Sequence, residues 1–211
     1  RRHTSGNILE IHFPKKISAS TYENAILAQQ HFQKKHPTFD IRVIDSRSYS
    51  FDYGFPVVEA AKQALKGPVN VDVAEAMIRG WLDHSVILFA PYSLKFAQRS
   101  GRIPVAAAFA GDAFGIRPIM SFPNGESKVI TKVRGNKKVV PALVKIASEN
   151  REPGSPYLVI QGMSKAHNAE IMQACIAAFH MPPAVAYYIG GVIAINAGPE
   201  LVGIIYQEKE K

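Results

Sequence analysis

An alternation of strand-like and helix-like stretches constrains the first half of this chain more than any single residue does. Residues 8–13 alternate apolar and polar side chains, the period of a half-buried strand. Residues 21–34 then place Ala25, Leu27, Ala28 and Phe32 at helical spacing, with Ser20 or Thr21 as N-cap and Glu23 and Asn24 in the first turn. Pro37 ends this helix, and residues 39–44 form the next strand, closed by Asp45-Ser46. A second helix is predicted over 55–65, stopped by Gly67-Pro68. A third, capped by Asp72, carries Val73, Ala76, Met77, Trp81 and Leu82. Strand–helix–strand–helix order favours a parallel sheet covered by helices.

The pattern changes after about residue 85. Residues 86–89 read as a short apolar strand, 93–98 as a helical turn ending at Gly101, and 104–113 as a small alanine-rich helix. Strands at 116–122 and 127–133 flank Asn124-Gly125, a strong hairpin signal. A helix over 137–150 must hold Pro141 in its first turn. A strand at 157–161, a helix at 168–179 and strands at 185–189 and 201–206 complete the reading. The expectation is an α/β first domain over residues 1–85 with a mostly parallel sheet, followed by an α+β second domain over 86–211.

A chain of 211 residues, 47 % of them hydrophobic and 20 % charged, buries a proper core and does not read as disordered. No apolar run is long enough to span a bilayer, and Arg1-Arg2-His3 opens no apolar leader, so a secretory signal is not expected. The single cysteine, Cys175, excludes an internal disulfide framework and suits a reducing, cytoplasmic setting. It falls mid-helix among Ile171, Met172 and Ile176, which marks a buried structural thiol rather than a nucleophile. The formal charge of +8 suits acidic partners: carboxylate or phosphate ligands, or transient contact with an anionic membrane surface. Nucleic acid is not expected, because no interleaving of aromatic and basic residues accompanies the charge.

Catalytic signatures are scarce. The chain has no P-loop, nucleophile elbow, zinc-ligand spacing or dinucleotide fingerprint, so no enzymatic activity and no cofactor are expected. Three segments carry binding chemistry. Ser18-Ala19-Ser20-Thr21-Tyr22 gathers hydroxyls at a strand-to-helix junction, where they serve either as N-caps or as donors to an anion. Ser100-Gly101-Arg102-Ile103-Pro104 and Gly115-Ile116-Arg117-Pro118-Ile119 each set an arginine beside a glycine turn, suited to a carboxylate or phosphate or to a surface ion pair. Asn196-Ala197-Gly198-Pro199 reads as a polar turn between two apolar strands.

Taken in order, these segments resemble the DegV family of fatty-acid-binding proteins. The likeness runs through residues 43–48 with Gly54 and Glu59-Ala60-Ala61, Leu94 with Gly101-Arg102-Ile103, residues 116–119, residues 132–138, and Ile189-Gly190 with Gly198-Pro199. It implies a two-domain protein that holds one long acyl chain, such as palmitate, in a tunnel between its domains. It also implies service as the lipid-carrying subunit of a fatty acid kinase, presenting the carboxylate to an ATP-binding partner. By the same resemblance Ser20, Thr21, Arg102 and Asn196 contact the ligand, and Arg134 meets the carboxylate or the partner.

Three departures from the family pattern stand out. Ala19 occupies the place of the serine that binds the carboxylate, Ser20 replaces a glycine, and Asn196 stands for a histidine and cannot become cationic. The first domain also reads as N-terminally shortened, with Thr4-Ser5 as a remnant of a carboxylate-binding segment. The alternative is a degenerate member that acts as a protein-interaction module without lipid. Ala106-Ala107-Ala108 and Ala110-Gly111 suit either a tunnel wall or close helix packing.

Overall fold

A computed structural model describes residues 6–12, 19–67, 70–100 and 114–210. The chain divides into two compact units, Arg1–Asp83 with Asn124–Glu126, and His84–Pro123 with Ser127–Lys211.

In the first unit β1 (Gly6–His12) pairs in parallel with β2 (Phe39–Asp45), from Gly6 opposite Phe39 to His12 opposite Asp45. A parallel pair needs a crossover, and α1 (Ala19–Lys35) supplies it. Helices α2 (Phe51–Ala64) and α3 (Val71–His84) follow. Ile44 packs with Ala60 of α2 and Ala74, Ile78 and Leu82 of α3, while the Phe55 and Trp81 rings meet at a tilt, 4.6 Å between centres. The expected mostly parallel sheet extends, among the described residues, no further than this single pair.

Three boundaries differ from expectation for local reasons. Helix α1 starts at Ala19, so Glu23 lies beyond the first turn. Helix α2 starts four residues early, with Asp52 buried and bonded there, and Pro56 lies inside the helix as its sixth residue, where its missing N–H removes one intrahelical bond. Asp72 does not cap α3; the Asn70 side chain accepts from the Asp72 N–H at 2.8 Å and takes that role.

The second unit is built on a six-stranded sheet in the order β5-β4-β3-β8-β6-β7. Its strands are β3 (Ser85–Ala90), β4 (Ile116–Ser121), β5 (Lys128–Arg134), β6 (Tyr157–Gln161), β7 (Val185–Tyr188) and β8 (Val202–Gln207). Four of the five pairings are antiparallel and only β6–β7 is parallel, so this large sheet is mixed and mostly antiparallel. Helices α4 (Lys95–Arg99), α5 (Val139–Asn150), α6 (Lys165–Phe179) and α7 (Gly191–Ala197) accompany it. On one face Leu88, Ala90, Val159, Val202, Ile204 and Tyr206 meet α5 and α6. On the other, Phe89 and Met120 pack with Leu94, Ala97 and Leu201, joined by Ile193 and Ala197 of α7.

Burial on both faces explains why β6 and β8 read as unbroken apolar runs. Gly203 is the point of closest approach. A Cβ there would run into the Leu88 carbonyl oxygen and come within 3.0 Å of Ile160 Cδ1 and Phe89 Cβ.

At the C-terminal end of α5, Arg151 is buried with no carboxylate partner among the described residues. Its guanidinium lies 5.4 Å from the Tyr157 ring centre and 5.0 Å from that of Phe179, and donates to the Ser155 carbonyl and to Met181 Sδ. Its backbone ends α5, and the two aromatic faces and the Ser155 carbonyl stand in for a counter-ion.

Two glycine substitutions should move stability in opposite directions. Gly203→Ala overpacks the sheet centre and should lower the unfolding free energy by about 1–3 kcal/mol. Gly80→Ala, in the exposed interior of α3 with no atom within 4 Å of the new methyl, should raise it by up to about 1 kcal/mol. Urea unfolding of both variants checks the pair of signs.

Candidate functional site

The in-register parallel pairing carries the chain off β1 and β2 at the same edge, His12 lying opposite Asp45. Ligands of parallel α/β units bind beyond the carboxyl ends of such strands. Ser20 and Thr21 sit in the first turn of α1, both exposed, with no acidic residue in that turn. Their hydroxyls and the helix N–H groups form a donor-rich end.

The segment after β2 is held by a buried polar network. Asp45 Oδ1 accepts from the Arg47 N–H at 3.0 Å. The Ser46 hydroxyl accepts from the Ser48 N–H at 3.2 Å and donates to the Ser48 carbonyl at 3.0 Å. Ser48 Oγ donates to one oxygen of Asp52, and the Trp81 indole N–H donates to the other at 2.9 Å. Asp52 is 1 % exposed, and burying a carboxylate demands such donors. Two non-glycine residues of this segment adopt left-handed backbone, Arg47 at φ 50° and Ser50 at φ 58°. The sequence pointed to the Asp45-Ser46 strand end but not to this network. The missed signal is Asp52 and Phe55, which share one helical face once α2 is started at Phe51.

In the second unit Asn196 lies on α7, not in a turn between strands as expected. Its amide donates to the Val192 carbonyl at 2.7 Å, and its own backbone carbonyl accepts from the Ser100 hydroxyl at 3.2 Å. Gly198, at φ 97°, ends the helix against Phe96, which is 3.2 Å from where a Cβ would stand. Helix α7 escaped notice because it is seven residues long, opens on Gly190-Gly191 and has no polar face: Val192 and Ile195 are 74 % and 73 % exposed.

Arg134 ends β5, exposed, at the open end of the β4–β5 hairpin. Beside it Arg117 Nε donates to Asn136 Oδ1 at 2.9 Å, and Lys137 and Lys138 follow in a 3-10 turn that leads into α5. Asn196 and Arg134 therefore stand on different parts of the second unit, and Ser20 and Thr21 on the first. Arg102, the residues 104–113 and Thr4-Ser5 lie outside the described residues. Among the described residues no three His, Cys, Asp or Glu side chains group as metal ligands, and no helix is long and apolar enough to cross a membrane.

Comparison with known proteins gives a consistent picture. The model of the family described as "Uncharacterised protein, DegV family" matches residues 2–209. A DegV domain-containing protein of Clostridium acetobutylicum is 28 % identical over 190 residues, 89 % of this chain and 66 % of its own length. One from Clostridium perfringens is 27 % identical over 201 residues, 95 % of this chain and 70 % of its own. The chain thus spans about two thirds of the length of these curated relatives. Among solved structures, a DegV family protein from Eubacterium eligens loaded with heptadecanoic acid matches with a TM-score of 0.84 at 21 % identity, covering 98 % of this chain and 74 % of that one. The fatty acid kinase B3 protein of Streptococcus pneumoniae, loaded with linoleic acid, matches with a TM-score of 0.84 at 19 % identity, covering 96 % and 72 %. At these identities the likeness is one of fold.

The lone thiol provides a check on the core that is independent of any ligand. Cys175 is fully buried on α6, and burial pushes its pKa up to about 12; burial likewise raises that of Tyr157 to about 12. Both groups stay protonated in the folded chain while the unfolded chain releases their protons, so stability should be constant up to about pH 9 and fall as pH rises toward 12. Denaturation midpoints across that window test the sign. A disulfide-exchange reagent at pH 8 should react with Cys175 only in denaturant.

Proposed function

The chain belongs to the DegV family, and from that premise we propose that it binds one long-chain fatty acid, palmitate or a close analogue, and presents the carboxylate to a separate ATP-binding kinase subunit. The observation that carries this reading is the match of nearly the whole chain to folds described with a fatty acid in place, heptadecanoic acid in one and linoleic acid in another. The kinase partner is supported by the fatty acid kinase subunit among those neighbours. On this reading the protein performs no chemistry of its own. Its work is to bury a tail and leave a head group accessible.

The energetics suit that division. At about 0.8 kcal/mol per buried CH₂, a palmitate tail contributes on the order of 10 kcal/mol before the costs of association. The head group then needs only a few donors for orientation. Ser20 and Thr21 supply hydroxyls at the strand-end edge, and Arg102 and Arg134 supply the cations of the carboxylate and partner contacts. The second reading, a module that has lost its ligand, draws on one observation: the Asn196 amide is spent inside its own helix on the Val192 carbonyl.

Native mass spectrometry of freshly purified protein separates the two. The expected result is an added mass equal to one C16–C18 fatty acid, removed by organic extraction and restored by added palmitate. Protein that is empty on purification and indifferent to added fatty acid leaves the interaction-module reading. With a kinase subunit present, Arg134→Ala should lower acyl-phosphate formation at least severalfold while palmitate binding holds, since a charge-assisted contact is worth roughly 1.5–3 kcal/mol.

A further inference from the structure

We infer that Arg47, at the carboxyl end of β2, is a further cation that reads the ligand's carboxylate. The inference rests on the fatty-acid reading and names the head-group contact within it. Arg47 is the second residue beyond β2, and the strand pairing brings that end beside the end of β1, about 4.8 Å away, from which the chain leads to Ser20 and Thr21. Among the described residues that follow these two strand ends, 19–24 and 46–52, it is the one cationic side chain.

The state of its guanidinium separates it from a structural arginine. Arg42, five residues earlier on β2, is committed to three carboxylates: Asp40 at 2.7 Å, Asp72 at 2.6 Å and Glu75 at 2.9 Å. Arg47 uses Nη2 alone, on Asp83, and its Nε and Nη1 bond to no described residue. The two partners are about half exposed, at 49 % and 51 %, and an ion pair so placed holds weakly. A guanidinium with an open side is suited to the bidentate grip that a carboxylate accepts. Its backbone, meanwhile, is fixed by the Asp45 carboxylate and by the buried Ser46–Ser48–Asp52–Trp81 network, so the charge is presented from a rigid base.

Arg47→Met keeps the apolar stem and removes the charge. With the full chain, calorimetry should show palmitate at least tenfold weaker and methyl palmitate unchanged, with Arg47→Lys recovering most of the loss. Asp83→Asn is the control for a purely structural role, because it breaks the ion pair and leaves the guanidinium in place. It should bind palmitate as tightly as the parent or more tightly. Equal losses of acid and ester in Arg47→Met, unchanged palmitate binding, or an Asp83→Asn variant that loses as much as Arg47→Met would each overturn the assignment. A parent protein that binds neither acid nor ester overturns the fatty-acid reading itself, and this inference with it.

Discussion

The parallel, in-register pairing of β1 with β2 is the constraint on which the polar chemistry of the first unit depends. An antiparallel pair of the same strands would send the chain off at opposite edges and leave α1's first turn far from the residues that follow β2. Parallel pairing puts both at one edge, with Asp45 level with His12. Everything polar that is buried nearby then serves one purpose: Ser46, Ser48 and Trp81 satisfy each other and Asp52, so residues 46–50 can hold two left-handed non-glycine positions. Such positions cost of order 1–3 kcal/mol each and persist only where the surroundings over-determine them.

The second unit solves the opposite problem. Its central strand β8 is flanked on both sides and covered on both faces, so it has no room for conformational choice. Close approach is purchased with glycine at two places, Gly203 in β8 and Gly162 after β6, where a Cβ would fall 2.5 Å from the Pro199 carbonyl oxygen. The Asn168 side chain then locks Gly162 in both directions, donating to its carbonyl at 2.8 Å and accepting from its N–H at 3.0 Å. The turn that follows α7 is pinned to the sheet by these contacts and by the Met163 N–H, which donates to the Pro199 carbonyl at 2.7 Å.

Most of this was legible where a local rule acts alone. The hairpin at Asn124-Gly125, the strand at Tyr157–Gln161 and the buried setting of Cys175 follow from turn chemistry, apolar runs and helical period. What escaped was whatever depends on partners distant in sequence. Trp81 and Asp52 are 29 residues apart, and nothing local says that an aspartate near a loop is a buried acceptor. Ser100 and Asn196 are 96 apart, and their bond joins α4 to a helix with no periodic signature. The family pattern directed attention to Ser20, Thr21 and Asn196; it ran through Arg47 without assigning it a role, and the interest of that residue lies in the donors it leaves unused.

The distribution of charge extends the same logic to partners. A surplus of +8 means little until the neutralised cations are set aside. Arg42 and Arg79 are held by carboxylates on β2 and α3 and contribute almost nothing outward. At the open end of the β4–β5 hairpin, Lys132, Arg134, Lys137 and Lys138 are exposed and form no ion pair with a described residue. Lysines immediately before α5 also add to the positive end of that helix dipole, an arrangement that costs stability and concentrates potential. An acidic surface would be attracted there, while on the proposed reading a ligand's carboxylate is met by the open guanidinium of Arg47 beyond β2. On the proposed reading, head-group recognition and partner recognition therefore fall to different cations, one on each unit, and a substitution of one leaves the other's side chain in place.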